Sequence, residues 1–232
     1  MPARSGMPEV VTKPQHNKGD KMIYELRTYT FHAGKLPAYL KLQEEVGRPV
    51  RGDDYGTCHG YWTAEFGALN QVWHLWSYAS LDDRAKQRDA LGQNKRWTTE
   101  YVPNVRPLLM RQDIRFLNPV KDINPPKTPG GVYELRIYRM HPGAAGPWAQ
   151  SFRDIMPVRE KYSPNVGIWT GEAPQPNEVV HMWNYPDQNA RMTTRAAVFK
   201  DPDWLAFVAK GSGSIVEMQS TLLLPTAFSP MK

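Results

Sequence analysis

One stretch decides the fold: Tyr24-Glu25-Leu26-Arg27-Thr28-Tyr29, which returns 109 residues later as Tyr133-Glu134-Leu135-Arg136-Ile137-Tyr138. A second pair of segments follows in the same order, Val-Trp-His-Leu-Trp-Ser-Tyr at 72–78 and Val-Val-His-Met-Trp-Asn-Tyr at 179–185, offset by 107 residues. Two matches in the same order at nearly the same offset indicate a tandem duplication. A repeat of this length is a whole domain rather than a solenoid unit.

Composition limits the class of protein. With 41% hydrophobic and 22% charged residues among 232, the chain is typical of globular proteins. The net charge of +6 comes from scattered Lys and Arg rather than from a dense basic run, which argues against a nucleic-acid partner. No apolar run approaches the ~20 residues that span a bilayer. The single cysteine, Cys58, excludes an internal disulfide and fits a reducing compartment, so we expect a cytoplasmic protein.

Local patterns divide the chain into four parts. Residues 1–21 are polar and lack the apolar core of a secretory signal, so we expect a disordered tail. Residues 22–117 form the first domain and residues 131–228 the second. Between them, residues 118–130 contain four prolines and are predicted to be a linker.

Each domain shows the same predicted order of elements: strand, helix, strand, strand, helix, strand. This order gives a ferredoxin-like unit, a four-stranded antiparallel sheet with both helices on one face. The bare face of each sheet must be covered. We therefore predict an α+β fold in which two sheets face each other and enclose a barrel-like space. The partner sheet can belong to the same chain or to a second copy, so a homo-oligomer is left open.

Alternation along the first and third strands of each repeat separates an apolar face from a mixed one. We assign the wholly apolar face to the helices, and the mixed face then looks into the space between the sheets. The predicted substrate-binding and catalytic residues are the members of that mixed face: Glu25, Arg27, Tyr29, His74, Trp76 and Tyr78 in the first repeat, and Glu134, Arg136, Tyr138, His181, Trp183 and Tyr185 in the second.

Such a lining is typical of a ligand pocket, with aromatic walls and a few polar groups. We expect His74 and His181 to act as acid–base groups, because imidazole titrates near neutrality. Arg27 and Arg136 would bind an oxyanion or carboxylate, and the tryptophans would stack on the substrate. A structural interpretation is also open, because features kept by both copies are what the fold itself requires. The Glu–Arg pairs can then be buried ion pairs and the histidines packing residues.

Other chemistries find little support in the sequence. Cys58 and His59 are adjacent, so on a strand they point to opposite faces, a poor geometry for a thiol nucleophile and its base. The chain has no His or Cys pairs at metal-ligand spacing. It also has neither a G-x-G-x-x-G turn after a strand nor a P-loop. We therefore expect no metal and no cofactor.

The Tyr-Glu-Leu-Arg-x-Tyr strand, the turns at Gly34 and Gly143, and the His-x-Trp-x-Tyr strand resemble the NIPSNAP family over nearly all of residues 22–230. The resemblance implies a ferredoxin-like, dimeric α/β-barrel fold. It assigns no catalytic residue. Animal members are discussed as scaffolds in trafficking and mitophagy, whereas the wider barrel superfamily includes cofactor-independent oxygenases of aromatic substrates, lactone isomerases and haem enzymes.

These observations lead to one hypothesis and its rivals. We expect a barrel protein that binds a small aromatic or polyketide-like molecule between the sheets, with cofactor-independent oxygenase or isomerase chemistry if it is an enzyme. The alternative is a non-catalytic interaction module with a packed interior, and a haem protein is a more distant third. The hypothesis requires the imidazole and indole groups to face the space between the sheets.

Overall fold

The computed structural model describes residues 22–232, and the predicted tail, residues 1–21, lies outside the described residues. The strands are β1 (Ile23–Phe31), β2 (Thr57–Phe66), β3 (Gln71–Tyr78), β4 (Leu109–Lys121), β5 (Val132–Met140), β6 (Asn165–Ala173), β7 (Glu178–Tyr185) and β8 (Ile215–Pro225). The helices are α1 (Leu36–Leu42), α2 (Arg48–Arg51), α3 (Leu81–Gln93), α4 (Val102–Val105), α5 (Ala145–Asp154), α6 (Met156–Arg159), α7 (Gln188–Val198) and α8 (Pro202–Gly211). Turns of π-helix (Gln43–Gly47, Trp97–Tyr101) and of 3-10 helix (Arg106–Leu108, Ser212–Ser214) adjoin them.

The strands form one closed barrel in the order β1-β3-β2-β8-β5-β7-β6-β4. Each repeat contributes a four-stranded antiparallel sheet with its first and third strands at the centre, which confirms the predicted ferredoxin-like units. The two sheets join where β2 pairs with β8 and where β4 pairs with β6. The barrel is therefore closed within a single chain.

One of these seams lengthens β4 beyond the sequence-based expectation. The strand continues to Lys121, and its last residues pair with β6, with Asn118 opposite Thr170 and Pro119 opposite Trp169. Residues 118–121, which were expected to begin the linker, thus belong to the strand that closes the barrel.

In the second repeat, the second helix of the predicted order is divided into two helices, α7 and α8. The break lies at Asp201, whose carboxylate accepts hydrogen bonds from the backbone N–H groups of Asp203 and Trp204, while Pro202 occupies the first turn. Asp as N-cap followed by Pro is a strong start signal for a helix. The new helix, α8, packs Trp204 into the layer between helices and sheet.

Apolar and aromatic side chains from both repeats fill the centre of the barrel, and the end lined by Thr28, Arg115 and Gln219 is a space of about 590 Å³. The ring of Trp62 lies 5.4 Å from that of Tyr133, and the ring of Tyr24 lies 5.7 Å from that of Trp169, so each contact joins the two repeats. The remaining members of this core are Leu26, Trp73, Leu75, Leu117, Leu135, Ile137, Val166, Val180, Met182, Leu223 and Met231.

The predicted orientation of the two strand faces is wrong. The apolar face of β1, β3, β5 and β7 points into the barrel, and the mixed face points toward the helices: Glu25 contacts Arg84 of α3, and His181 contacts Phe152 of α5. The physical reason is that buried charged groups need partners of opposite charge. The charged groups of the mixed face find partners on the helices, such as Arg84 for Glu25, whereas the centre of the barrel is filled by the apolar face.

Each outer sheet face is covered by the helices of its own repeat. On the first repeat, Tyr39 of α1 packs on Tyr29 and Phe31 of β1. On the second, Trp148 and Phe152 of α5 take the same position. Among residues 22–232, no helix has both the length and the apolar character needed to cross a membrane.

Candidate functional site

The register of the central strands brings the predicted polar residues together beneath the helices. In the second repeat, Arg136 of β5 lies opposite His181 of β7, and Glu134 lies opposite Trp183. The first repeat has the same pairs, with Arg27 opposite His74. Alternation along two adjacent strands therefore builds two related sites on the helix side of the barrel.

The second-repeat site contains a cavity of about 370 Å³ between the sheet and its helices. Its buried and partly buried polar groups include those of Arg136, Arg159, Arg195 and His181, and the exposed Ser212 and Glu217 also line it. Its walls are mostly aromatic or aliphatic: Tyr138, Trp148, Phe152, Trp183, Val198, Phe199, Trp204, Phe207, Val208, Ile215, Val216 and Met218. We call this space the second cavity.

Beside this cavity, Glu134 organises the arginines. Its carboxylate is fully buried and accepts hydrogen bonds from Arg191 at 2.7 Å and from Ser220 at 2.8 Å. Arg136 and Arg195 lie 3.6 and 3.8 Å away. Burial alone would raise the pKa of Glu134, but the hydrogen bond from Arg191 and the charges of the other two guanidinium groups lower it below its ordinary value.

Arg159 was missed by the sequence analysis. It is 3% exposed, donates to Ser163 and to the hydroxyl of Tyr185, and lies over the ring of Trp183 at 4.2 Å. A signal for it exists in the sequence, because Pro157-Val158-Arg159 repeats the Pro-Val-Arg of residues 49–51 at an offset of 108.

His181 is held by a strand neighbour. The indole Nε1 of Trp183 donates to Nδ1 of His181 over 2.7 Å. Because an indole N–H can only donate, Nδ1 is the acceptor and the proton of the neutral imidazole is on Nε2. This Nε2 is buried and has no hydrogen-bond partner among residues 22–232. Burial, followed by the charges of Arg136, Arg159 and Arg195, holds the pKa of His181 well below its usual range, so the ring is neutral.

The first-repeat site is built on the same plan but is more tightly filled. Its cavity measures about 180 Å³ and is lined by Arg27, Tyr29, Tyr39, Arg51, Tyr61, His74, Arg88, Trp97, Tyr101, Val102, Val105, Arg106, Leu109 and Gln112. We call it the first cavity. Tyr61 stacks on His74, with the ring centroids 4.6 Å apart and the planes 9° apart. Gln43 links the phenols of Tyr61 and Tyr101 through hydrogen bonds of 3.2 and 2.5 Å.

Substitutions between the repeats change the residues that surround the histidine. At the positions of Tyr39, Gln43, Tyr61 and Tyr101 the second repeat has Trp148, Phe152, Ile168 and Val208. Replacing the stacked phenol by Ile168 and the linked phenol by Val208 removes bulk above the histidine. The second repeat therefore keeps the larger and more apolar cavity.

The predicted site residues divide into lining residues and supporting residues. Arg27, Tyr29 and His74 line the first cavity, and Arg136, Tyr138, His181 and Trp183 line the second. The others are buried behind them: Glu25, Trp76, Tyr78, Glu134 and Tyr185. The same residues thus come together as expected, but under the helices rather than between the sheets.

The remaining reactive groups do not form a further site. Burial raises the pKa of the Cys58 thiol to about 12, and burial lowers the pKa of His59 to about 4. Within the described part of the chain, no three His, Cys, Asp or Glu side chains cluster in a way that could hold a metal ion.

Comparison with known proteins is consistent with the duplication. A family model described as NIPSNAP matches residues 24–123 and 133–230. Protein NipSnap homolog 3A of Homo sapiens is 32% identical, over 92% of this chain and 87% of that protein. Protein NipSnap homolog of Dictyostelium discoideum is 31% identical, over 88% and 87%. The crystal structure of an anthrone oxidase-like protein has a TM-score of 0.63 with 11% identity, over 89% of this chain and 92% of that one, a likeness of fold alone.

Proposed function

The chain belongs to the NIPSNAP family, and we propose that it binds a small molecule with an aromatic or polyketide-like body and an acidic oxygen in its second cavity. The observation that carries this proposal is the composition of the cavity: apolar and aromatic walls, with Arg136, Arg159, Arg195 and the Nε2–H of His181 among its polar groups, and the one lining carboxylate, Glu217, exposed to solvent.

The polar end of the cavity favours a negatively charged or enolic oxygen. The single carboxylate of Glu134 forms salt bridges with three arginines, Arg136, Arg191 and Arg195. This group of side chains therefore has a net positive charge. Arg159 forms no salt bridge with a carboxylate among residues 22–232; its partners are two hydroxyls and two indole rings. Guanidinium groups bind carboxylates and enolates through strong, charge-assisted hydrogen bonds.

The apolar part of the cavity favours rings. Trp148, Phe152, Trp204 and Phe207 form a continuous group of contacting rings on the helix side, with centroid separations between 4.7 and 6.2 Å. Aromatic walls of this kind gain from offset or edge contacts with a flat ligand. A volume of about 370 Å³ falls within the range of small-molecule sites.

His181 serves in this proposal as a neutral hydrogen-bond donor. To act as a base at Nε2 it would need its proton on Nδ1, facing the N–H of Trp183, and two donors would then oppose each other. A neutral imidazole N–H can polarise a carbonyl or stabilise an enolate without carrying charge itself. If the protein is an enzyme, the chemistry this supports is enolisation-type chemistry, as in a cofactor-independent oxygenase or isomerase.

The test is ligand-dependent thermal stability of the full chain. We expect 2-naphthoic acid to raise the Tm more than 2-naphthamide, which has the same rings without the charge. Val208→Tyr, which copies the residue of the first repeat, should abolish the rise by filling the cavity. Leu205→Tyr is the matched control, because Leu205 lies on the same helix, is exposed and does not line the cavity.

Two results would overturn the proposal: equal stabilisation by the acid and the amide, or an unchanged response in the Val208→Tyr variant. A flat response of the wild type to a wider set of aromatic acids and ketones would favour the non-catalytic interaction module. Native mass spectrometry of the purified protein adds an independent measurement, since it reports a retained small molecule together with any homo-oligomer.

A reducing compartment such as the cytoplasm remains our expectation from the single cysteine.

A further inference from the structure

The first cavity carries more positive charge than its surroundings neutralise. Arg27, Arg51 and Arg88 line it. Glu25 is the only carboxylate among residues 22–232 that forms a salt bridge with any of these three, and it does so only with Arg27, at 3.1 Å. The same carboxylate is also bound by Arg84 at 2.5 Å. Arg51 and Arg88 therefore have no salt-bridge partner in the described part of the chain.

The polar atoms left without partners in this cavity are all donors. Nη1 of Arg27, Nε of Arg51 and Nε2 of His74 are buried and make no hydrogen bond with residues 22–232. Nε2 of His74 carries the imidazole proton, because Nδ1 accepts the indole N–H of Trp76 over 2.7 Å. Buried donors without acceptors cost free energy. A group of donors facing no acceptor is complementary to a ligand with several anionic oxygens.

Repulsion among the arginines of the first cavity also favours the binding of an anion. Burial, and then the charges of Arg27 and Arg51, lower the pKa of Arg88 below its ordinary value. A bound anion would relieve this repulsion and compensate for the burial of the guanidinium groups.

The space is small and reaches the surface. The cavity measures about 180 Å³, about half the volume of the second cavity, and Tyr61 covers one face of His74. Arg106 and Gln112 line its outer part and are exposed to solvent. There is room for a compact anion rather than for a multi-ring ligand, and Arg106 adds a further positive charge at the entrance.

We propose that the first cavity is a binding site for a small oxyanion, held by Arg27, Arg51, Arg88 and His74. Inorganic phosphate and a short dicarboxylate both carry several anionic oxygens. The oxygens of phosphate are arranged tetrahedrally, whereas those of a dicarboxylate lie in two planar groups. The two repeats would then bind different classes of ligand, and this site does not depend on the ligand proposed for the second cavity.

The experiment uses the full chain at constant ionic strength, with chloride exchanged for phosphate or for malonate. We expect at least one of the two anions to raise the Tm by about 2 °C or more at tens of millimolar. Calorimetric titration with the same anion should show an affinity at least about tenfold weaker for Arg88→Gln, which removes a charge-assisted contact. Lys86→Gln, which removes a positive charge from an exposed position of the same helix outside the cavity, should leave the affinity unchanged.

Several outcomes would overturn the site. One is a Tm that responds only to ionic strength and not to the identity of the anion. Another is equal binding by wild type and Arg88→Gln, or an equal loss of binding in Lys86→Gln. If Arg88→Gln does not fold, Arg88→Lys keeps the charge but not the planar geometry and should still weaken binding. The Val208→Tyr variant should retain the anion response, which separates a failure here from a failure of the proposed function.

Discussion

Trp183 donates its indole N–H to Nδ1 of His181 over 2.7 Å, two residues along the same strand face. Trp76 and His74 form the same bond at the same distance in the first repeat. This bond fixes the tautomer of the buried imidazole. The indole N–H can only donate, so Nδ1 must be unprotonated to accept it. The bond also opposes protonation, since an imidazolium would place two donors face to face.

Replacing Trp183 with Phe should release this tautomer while keeping an aromatic ring in place. We expect the side-chain ¹⁵N resonances of wild-type His181 to report a proton on Nε2 and an unprotonated Nδ1. The Trp183→Phe variant should show a mixture of tautomers and a loss of about 1–3 kcal/mol of stability from the unsatisfied Nδ1. Trp76→Phe is the matched control, because it should alter the signals of His74 and leave those of His181 unchanged. A wild-type His181 protonated on Nδ1 would contradict the assignment.

Stability should fall on acidification well above the range in which carboxylates titrate. Burial lowers the pKa values of His59, His74 and His181 in the folded state, and neighbouring arginines lower those of His74 and His181 further. Below about pH 6.5, the unfolded chain therefore binds protons that the folded chain does not. Stability is then largest above this pH and declines below it, by up to about 1.4 kcal/mol per pH unit for each histidine.

Urea denaturation at pH 7.5, 6.5 and 5.5 measures this decline. The pKa values of Glu25 and Glu134 are also lowered, so their contribution is lost only as the pH falls below their ordinary value, near 4.5, outside this window. His181→Gln removes one of the groups that take up a proton on unfolding. The free energy of unfolding should therefore fall less steeply with decreasing pH in this variant. Equal stability at pH 7.5 and pH 5.5 would show that these histidines are protonated in the folded protein.

Sequence reasoning reached the fold because the duplication is visible in short motifs and because period-two alternation assigns each residue to a face. It failed to decide which face meets the helices. One clue was present: Arg84 and Arg191 recur at the repeat offset within the helices. A helix arginine can bind Glu25 or Glu134 only if those carboxylates face the helices, and this is what the structure shows.

The difference in volume between the two cavities cannot be predicted from repeated motifs or from alternation. Tyr61 and Ile168 both occupy strand positions with the same alternation, and each is compatible with a buried sheet face. Whether the residue fills the space above the histidine depends on how side chains from several helices pack around it. That packing is set by contacts distant in the sequence, such as the bond between Tyr101 and Gln43.

Removing the charge of Glu134 should destabilise the second repeat strongly. Its carboxylate is 0% exposed and contacts three arginines. Glu134→Gln keeps the shape but leaves these cations without a counter-charge, and breaking a buried pair in this way costs about 3–5 kcal/mol. We expect the lower end of this range, because the arginines are partly exposed to water.

The measurement is urea denaturation, with Glu65→Gln as the control. Glu65 is exposed, so this control should change stability by less than about 0.5 kcal/mol. Glu25→Gln should behave like Glu134→Gln, since Glu25 is equally buried and binds two arginines. A Glu134→Gln variant as stable as the wild type would mean that the arginines are neutralised by solvent rather than by this carboxylate.

The packing of the barrel interior can be tested at its two glycine–tryptophan pairs. In each repeat, the indole ring of Trp62 or Trp169 lies against the glycine two residues earlier, Gly60 or Gly167, where an added Cβ would overlap the ring. Both tryptophans are at most 1% exposed and are enclosed by side chains from both repeats. Gly60→Ala and Gly167→Ala should therefore each cost about 1–3 kcal/mol through overpacking, measured by urea denaturation.

Gly92→Ala is the control that separates overpacking from a general effect of replacing glycine. Gly92 lies in α3, is exposed, and an added Cβ there would meet no atom within 4 Å. Alanine is favoured over glycine in a helix by up to about 1 kcal/mol, so this variant should be slightly more stable than the wild type. If Gly167→Ala were equally well tolerated, the indole of Trp169 would have room to move. The packing around Trp169 in the centre of the barrel would then be looser than these contacts indicate.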